Sequence, residues 1–311
     1  MKKWVSVILA ALLLLSMGAW AEGGAVQPAE EKTVYYNAGL NYEVSYLESE
    51  FTRGYMYASE HDAFFIEAEG DPVLIVTSAA LRAGDMSAFL DEALGGYGEG
   101  AVIGEKQKKQ KEDSTVIESV QVQYEGVTNR FYLVYAEAAA DEQVDALCIT
   151  ATFNTGMEET AGARFDALVD AIVINVPQTA YQGEGWQASY PAAYVAPETV
   201  YGKEGFAAEG AYLLVVESDI APGQAADLLA EATGGYAGEF TVSEQSERTT
   251  ESGLVIRWLE AVQDGRADRY YALWQSGSDK VYCLTASYPE AAAGLYGGAF
   301  DAIVNSFVIA E

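Results

Sequence analysis

The chain has 311 residues, of which half are hydrophobic and only two are cysteine. Its 47 acidic residues outnumber 17 basic ones, and the net charge of −30 argues against binding to nucleic acid or to anionic membranes. The hydrophobic content argues against a disordered acidic chain, and two cysteines are too few for a fold built on disulfides. We therefore expect a soluble protein of two domains, each able to bury its own core.

Residues 1–21 are predicted to form a signal peptide. Two lysines begin it, an apolar run follows, and Ala19–Ala21 reads as a small-x-small cleavage site. The alternative is an uncleaved anchor, but the apolar run is shorter than the ~20 residues that span a membrane. We expect cleavage without later membrane insertion, and a location at the cell surface, outside the cell or in a periplasm. Residues 22–33 are expected to form a flexible lead-in.

The rest of the chain contains an internal duplication. Five segments recur in the same order, and the offset between the copies falls only from 144 to 135 residues. The matched pairs are Tyr42–Tyr46 with Trp186–Tyr190, Gly95–Tyr97 with Gly234–Tyr236, Arg130–Tyr132 with Arg269–Tyr271, Cys148–Ala151 with Cys283–Ala286, and Phe165–Ile174 with Phe300–Ile309. Coincidence would not preserve both order and offset. We predict two homologous domains, repeat 1 at residues 34–176 and repeat 2 at residues 184–311, joined by a linker at residues 177–183.

Each repeat is predicted to contain the same elements in the same order. An alternating strand opens the repeat and a hydrophobic strand follows. An amphipathic helix comes next, capped in repeat 1 by Asp85 and ended by a positive-φ glycine at Gly95 or Gly234. Three antiparallel strands follow, at 115–124, 129–136 and 145–153 in repeat 1 and at 254–262, 268–275 and 280–288 in repeat 2.

A closing helix is predicted from the ten-residue segments FDALVDAIVI and FDAIVNSFVI. Their apolar residues fall on one helical face, which in repeat 2 consists of Phe300, Ile303, Val304 and Phe307 and in repeat 1 of Phe165, Leu168, Val169 and Ile172. The polar residues Asp166, Asp170, Asp301 and Asn305 are expected to face away. The order of elements predicts an α+β fold of two tandem domains, each an antiparallel sheet flanked by helices.

The end of repeat 2 resembles the PsbP-like fold family. The resemblance rests on the ending F-D-x-I-V-x-S-F after the strand C-L-T-A, and on Ser189-Tyr190-Pro191 in the opening strand. It covers both repeats and is better in repeat 2, because repeat 1 has Leu47 where repeat 2 has Pro191. The resemblance implies an antiparallel sheet flanked by helices and a binding or assembly role, with no catalysis and no cofactor. These motifs are structural, so no functional residue carries over.

The sequence contains no recognisable catalytic set. His61 is the only histidine, so repeat 2 lacks the histidine base that a Ser-His-Asp or Cys-His system needs, and an exposed loop histidine is the preferred interpretation of His61. Paired carboxylates suited to glycan hydrolysis stay open as an alternative, since 47 acids form chance pairs. The calcium loop D-x-[DN]-x-[DN]-G is missing, so weak surface binding is the most we expect. The glycine-rich Gly95–Gly100 follows a helix and indicates a cap and turn rather than a phosphate loop.

The two cysteines, Cys148 and Cys283, occupy matching strand positions. One interpretation is a disulfide or redox pair. The other is two small core residues inherited by duplication, which free cysteine suits well. Equivalent positions in two separate cores do not meet at the ~4.4–6.8 Å between Cα atoms that a disulfide needs, and this favours the second interpretation.

The stretch KQKKQK at Lys106–Lys111 is the one concentrated basic segment. Its four basic side chains are Lys106, Lys108, Lys109 and Lys111, whereas the aligned stretch of repeat 2, Gln245–Thr250, is not basic as a whole. They are candidates for contact with an anionic envelope protein or polymer. The alternative is a solvated hairpin, or an edge strand protected by lysine.

These observations favour a secreted, non-catalytic binding or assembly protein of the cell envelope. We expect no cofactor and no nucleic-acid partner. The rival hypotheses are a carboxylate-based hydrolase and an acidic surface protein that binds calcium weakly.

Overall fold

The computed structural model describes residues 32–56, 61–236, 239–250 and 252–310. The predicted signal peptide and most of the lead-in lie outside the described residues. The described chain divides after Val176 into two compact units, and we use repeat 1 and repeat 2 for the units on either side of that division. Within the described ranges, no helix is both long and apolar enough to cross a membrane.

Repeat 1 contains two antiparallel sheets and two α-helices. Its elements are β1 Thr33–Asn37, β2 Tyr42–Tyr46, β3 Thr52–Met56, β4 His61–Phe65, β5 Val73–Arg82, α1 Met86–Leu94, β6 Val102–Ile103, β7 Gln107–Gln110, β8 Thr115–Tyr124, β9 Val127–Ala136, β10 Gln143–Asn154, α2 Ala163–Asp170 and β11 Val173–Ile174. The large sheet has the order β3-β4-β5-β10-β9-β8-β6, with β7 also on β8, and the small sheet has the order β1-β2-β11.

Repeat 2 reproduces this arrangement element by element. Its elements are β12 Gln178–Gln182, β13 Trp186–Pro191, β14 Ala196–Val200, β15 Lys203–Ala208, β16 Ala211–Ser218, α3 Ala225–Ala232, β17 Thr241–Val242, β18 Ser246–Thr249, β19 Leu254–Gln263, β20 Arg266–Gln275, β21 Val281–Pro289, α4 Gly298–Asn305 and β22 Val308–Ile309. The large sheet runs β14-β15-β16-β21-β20-β19-β17, with β18 on β19, and the small sheet runs β12-β13-β22. The chain is therefore an α+β protein of two similar tandem halves, and the predicted fold class is confirmed.

The large sheet of repeat 1 is covered on both faces. Successive strand residues point to opposite faces, so Leu133 and Val134 belong to different cores. Val134 packs with the small sheet and with Phe165 of α2. Leu133 packs with the α1 stripe of Met86, Leu90 and Leu94. The apolar stripe of α1 thus packs in the core on one face of the sheet, and the closing segment packs in the core on the other face.

The closing helices are shorter than predicted. They end at Asp170 and Asn305, and the last two residues of each ten-residue segment form β11 and β22 instead. These strands pair with the opening strands β2 and β13 of the same repeat. A β-branched Val-Ile pair suits such a strand. Phe307 lies beyond the helix but stays buried, stacked on Trp186 with 5.0 Å between ring centroids.

Two further local predictions are wrong, namely the Asp85 cap and the positive-φ glycines, and most of the predicted linker is a strand. Gln178–Gln182 form β12, which pairs with β13. Asp85 precedes α1 but makes no side-chain capping hydrogen bond. Gly95 has a right-handed φ of −63°, and its N–H donates to the carbonyls of Asp91 and Glu92, so the helical turn continues through it. Gly234 lies within a 3₁₀ turn and does not have a positive φ.

The duplicated Arg-x-Tyr and Phe-Asp motifs meet in space and join each sheet to its closing helix. In repeat 2, Arg269 donates to Asp301 at 2.8 Å, and the Tyr271 hydroxyl donates to the other oxygen of Asp301 at 2.8 Å. Arg269 also donates two hydrogen bonds to Glu260, at 2.9 and 2.6 Å. Arg130, Tyr132 and Asp166 form the same arrangement in repeat 1. We call each of these an Arg–Tyr–Asp cluster. It explains why the matched segments are kept in both copies.

Candidate interface at the edge of each sheet

Each large sheet ends in an edge strand that contains a β-bulge. In repeat 1, Ile103 is paired with Val122 and Gln107 is paired with Ser119. The edge strand therefore advances by four residues where β8 advances by three. The extra residue falls between β6 and β7. In repeat 2 the edge strand formed by β17 and β18 has the same extra residue against β19. Bulges at sheet edges are devices that interrupt regular pairing with another strand.

The β6 and β17 ends of these edges are apolar and exposed. Val102 and Ile103 are 64% and 52% exposed, and Val242 is 42% exposed. Phe240, directly before β17, is 39% exposed. Single exposed aliphatic residues are common and need no explanation. Here the exposure recurs at the same place in both repeats, and this recurrence identifies the β6 and β17 edges as candidate interfaces.

The backbone of these edges offers unpaired groups to a further strand. The N–H of Gly104 donates to the Gln121 carbonyl at 2.8 Å, so Gly104 and Gln121 form a hydrogen-bonded pair of the antiparallel ladder. Hydrogen-bonded and non-hydrogen-bonded pairs alternate along an antiparallel ladder, so the N–H and C=O of Ile103 point away from β8. In repeat 2 the N–H of Ser243 donates to the Glu260 carbonyl at 2.8 Å. By the same alternation, the N–H and C=O of Val242 point away from β19, as those of Ile103 point away from β8.

Exposed glutamates flank each apolar edge. Glu99 and Glu105 lie on either side of β6, and Glu239 and Glu244 lie on either side of β17. The order of acid, apolar centre and acid recurs at both edges, and Glu99 lies in the turn before β6. A second copy of this strongly acidic chain would meet like charges here. A complementary segment would place basic residues around an apolar centre.

The four predicted contact lysines lie on the other half of the repeat 1 edge, on β7 or beside it. All have partners within repeat 1. Lys106 donates to the carbonyl of Ser87 at 2.8 Å and pairs with Asp91 at 2.7 Å. Lys108 pairs with Glu118 at 2.7 Å and contacts the Tyr135 hydroxyl at 3.2 Å.

Lys109 forms an ion pair with Asp170, and Lys111 donates to the carbonyl of Ile172 at 2.8 Å. The segment is thus an edge strand bearing lysines, which was the alternative interpretation of the sequence. A partner that uses these ammonium groups has to compete with ion pairs already present. Contact through them stays a prediction.

His61 lies on β4 beside a buried acid that the sequence did not single out. Asp62 is 3% exposed and accepts hydrogen bonds from the hydroxyls of Tyr35 and Tyr42 at 2.8 and 2.6 Å. Arg53 lies 3.4 Å from it. The strand pairing shows that Glu204 is the residue of repeat 2 equivalent to Asp62. Glu204 accepts a hydrogen bond from the indole N–H of Trp186 at 3.1 Å. An acid that anchors the opening strand in both repeats indicates a structural role.

The cysteines are free and half-buried. Cys148 packs against the core beneath α1, and Cys283 against the core beneath α3. Burial raises the pKa of each thiol to about 11. These surroundings are those of small core residues rather than of reactive thiolates.

Among the residues that the structure describes, no three acid, histidine or cysteine side chains are grouped closely enough to hold a metal ion. Burial raises the pKa of Glu43 on β2. A glycosidase also needs a second carboxylate at a set separation, and the hydrolase hypothesis stays a prediction.

No family model and no curated protein matches this chain. Solved structures with some likeness include the solution structure of cyanobacterial PsbP (CyanoP) from Synechocystis sp. PCC 6803, at 12% identity and a TM-score of 0.34, covering 51% of this chain and all of that one. The immunity protein TplEi of Pseudomonas aeruginosa has 8% identity and a TM-score of 0.26, covering 89% and 97% of the two chains. A chain of the Tle4–Tli4 complex has 9% identity and a TM-score of 0.24, covering 91% and 99%. At these values no activity, ligand or partner transfers to this chain.

Proposed function

We propose that this protein is a secreted, non-catalytic binding protein of the cell envelope, built from two PsbP-like repeats. Each repeat holds its partner by adding a strand to the apolar edge at β6 or β17. The partner is an extended protein segment with an apolar centre and basic flanks. Export rests on the amino-terminal sequence pattern, and the PsbP-like assignment rests on the motifs at the end of repeat 2.

The observation that carries this proposal is the recurrence of an exposed apolar edge at the same place in both repeats. Lysines and a bulge protect the β7 half of the repeat 1 edge, as sheet edges usually need. The adjoining β6 strand carries no lysine, and its exposed side chains are Val102 and Ile103. Strand addition uses the outward backbone groups for affinity and the alternate side chains for specificity. Two edges on one chain would also allow bivalent binding.

The test is site-specific photo-crosslinking in envelope extract from the source organism. A photoreactive phenylalanine analogue replaces Ile103 in one bait and Val242 in another. A third bait carries it at Tyr201, which is 50% exposed but lies away from the β17 edge in the sheet order. We expect the same partner to be crosslinked at Ile103 and Val242 and not at Tyr201.

A fourth bait has the analogue at Ile103 together with glutamine at Lys106, Lys108, Lys109 and Lys111. Retained crosslinking in this bait places the contact on the apolar edge, and lost crosslinking transfers it to the lysine segment. No crosslinking at either edge, or equal crosslinking at Tyr201, would refute the edge-binding proposal.

A further inference from the structure

Repeat 2 contains a buried carboxylate without a full set of partners. Asp268 on β20 is 8% exposed. Its Oδ2 accepts a hydrogen bond from the Tyr236 hydroxyl at 2.5 Å. Its Oδ1 is out of solvent contact and has no hydrogen-bond partner among the described residues. No basic side chain of the described residues forms an ion pair with it. A buried carboxylate in this state costs several kcal/mol unless something neutralises it.

Repeat 1 shows that the fold does not need this acid. The matched position there is Asn129, on the strand equivalent to β20. The Asn129 side-chain oxygen accepts a hydrogen bond from Thr152 at 2.7 Å. Thr152 is matched in repeat 2 by Ser287, whose hydroxyl accepts a hydrogen bond from Arg266 at 2.9 Å and donates none to Asp268 Oδ1. An ionisable group has therefore replaced a neutral, hydrogen-bonded one in repeat 2 only.

The surroundings of Asp268 are aromatic. The Tyr236 ring is stacked on Phe240 with 5.3 Å between centroids, and its hydroxyl lies 2.9 Å from that of Tyr270. Burial raises the pKa of Tyr212 to about 12, and the nearby charge of Asp268 adds to this rise. A carboxylate beside aromatic rings is the combination that binds organic ammonium groups, through an ion pair and through the ring faces.

We infer that Asp268, Tyr236, Tyr270 and Phe240 form a binding site for an alkylammonium group. The ammonium hydrogen-bonds to Oδ1 of Asp268, and the alkyl part contacts the rings of Tyr236 and Phe240. Because Oδ1 is out of solvent contact, binding requires side chains around it to move. The group belongs either to a free amine or to a lysine side chain of a bound peptide.

The Asp268 carboxylate is set back from the strand-addition edge, although Phe240 belongs to both regions. Asp268 is paired with Ala261, which is paired with Val242, so Asp268 lies two strands in from β17. That is about 10 Å at the usual spacing between strands. A test of the ammonium site therefore needs no knowledge of the edge partner. A negative result for one proposal does not refute the other.

The experiment is isothermal titration of the full chain with n-butylammonium chloride and with the peptide acetyl-Gly-Lys-Gly-amide, in 150 mM sodium chloride to screen the acidic surface. We expect saturable binding with a change in near-ultraviolet circular dichroism from the aromatic rings of the site. Binding of the amine alone indicates a small-molecule ligand. Binding of the peptide alone indicates a lysine side chain, and binding of both supports the shared chemistry.

The decisive variant is Asp268→Asn, which installs the residue of repeat 1. Its matched control is Asp279→Asn, which removes an exposed acid from the same repeat. Asp268→Asn should weaken binding at least tenfold and leave the melting temperature equal or higher, whereas Asp279→Asn should change neither. Absence of binding to the native chain, equal loss in both variants, or unchanged binding in Asp268→Asn would overturn the inference. A purely structural Asp268 would show no ligand heat and a lower melting temperature in Asp268→Asn.

Discussion

Truncation of Phe300 to alanine tests the packing of the closing helix in repeat 2. Phe300 has no exposed surface, and its ring lies 6.1 Å from that of Tyr288 across the core. Replacing a buried phenylalanine by alanine loses the transfer free energy and leaves a cavity, for a total of about 3–5 kcal/mol. For a domain of this size each kcal/mol lowers the melting temperature by about 3–5 °C, so we expect a fall of roughly 10–20 °C.

The assay is differential scanning calorimetry of the native chain, Phe300→Ala and the matched Phe165→Ala. Phe165 is equally buried in repeat 1. We expect each variant to lower a different unfolding transition, because each closing helix covers its own sheet. The exposed Phe240 serves as a control, and Phe240→Ala should change the melting temperature little. The reasoning is refuted if both core variants lower the same transition equally, or if Phe300→Ala has no larger effect than the control.

Three further outcomes follow from the structure. Asp301→Ala removes the acceptor shared by the arginine and tyrosine of its Arg–Tyr–Asp cluster, and it should lower the free energy of unfolding by about 1–3 kcal/mol in urea titrations. A smaller effect than that of Asp279→Ala would contradict the cluster's role. The thiols of Cys148 and Cys283, whose pKa burial raises to about 11, should react slowly with iodoacetamide at pH 8 and quickly once urea unfolds the chain; fast native labelling would show that they are not core residues. Burial holds the pKa of Tyr271 well above its ordinary value, so stability should be full below about pH 10, where unfolded tyrosine begins to ionise, and should fall as the pH rises further. A urea midpoint equal at pH 8 and pH 11 would argue against this.

The sequence predicted the long elements well because they follow simple periodicities. The three antiparallel strands of each repeat match the structure to within two residues at their ends, and α1 has the predicted apolar stripe. Duplication strengthened these predictions, since each pattern was read twice. The α+β class followed from the order of the elements.

The short elements escaped prediction because tertiary contacts define them. The Val-Ile pairs at 173–174 and 308–309 continue the helical pattern, and only the adjacent opening strand makes them β-strands. The segment 178–182 is polar and small, and pairing with β13 makes it a strand. Such contacts between residues distant in sequence leave no local signal.

The candidate interface was partly visible in the sequence. The concentrated charge of the four lysines predicts either a contact with an anionic partner or an edge strand protected by lysine. The adjoining Val102 and Ile103 look like ordinary strand residues, and their exposure depends on where β6 lies in the sheet. Asp268 was not singled out in the sequence, although the offset of 139 residues between the repeats aligns it with Asn129. An acid matched with an amide between two copies is a signal that sequence comparison alone can find.

Binding of a partner strand at the two apolar edges is the central claim, and substitution by proline tests it most directly. Ile103→Pro with Val242→Pro removes both outward N–H groups but keeps the hydrogen bonds to β8 and β19. The control, Ile103→Ala with Val242→Ala, keeps those N–H groups and shortens the side chains. The account predicts that the native chain captures a partner from envelope extract, that the alanine bait captures it more weakly, and that the proline bait loses it while its circular dichroism spectrum stays native. Full capture by the folded proline bait would contradict the account.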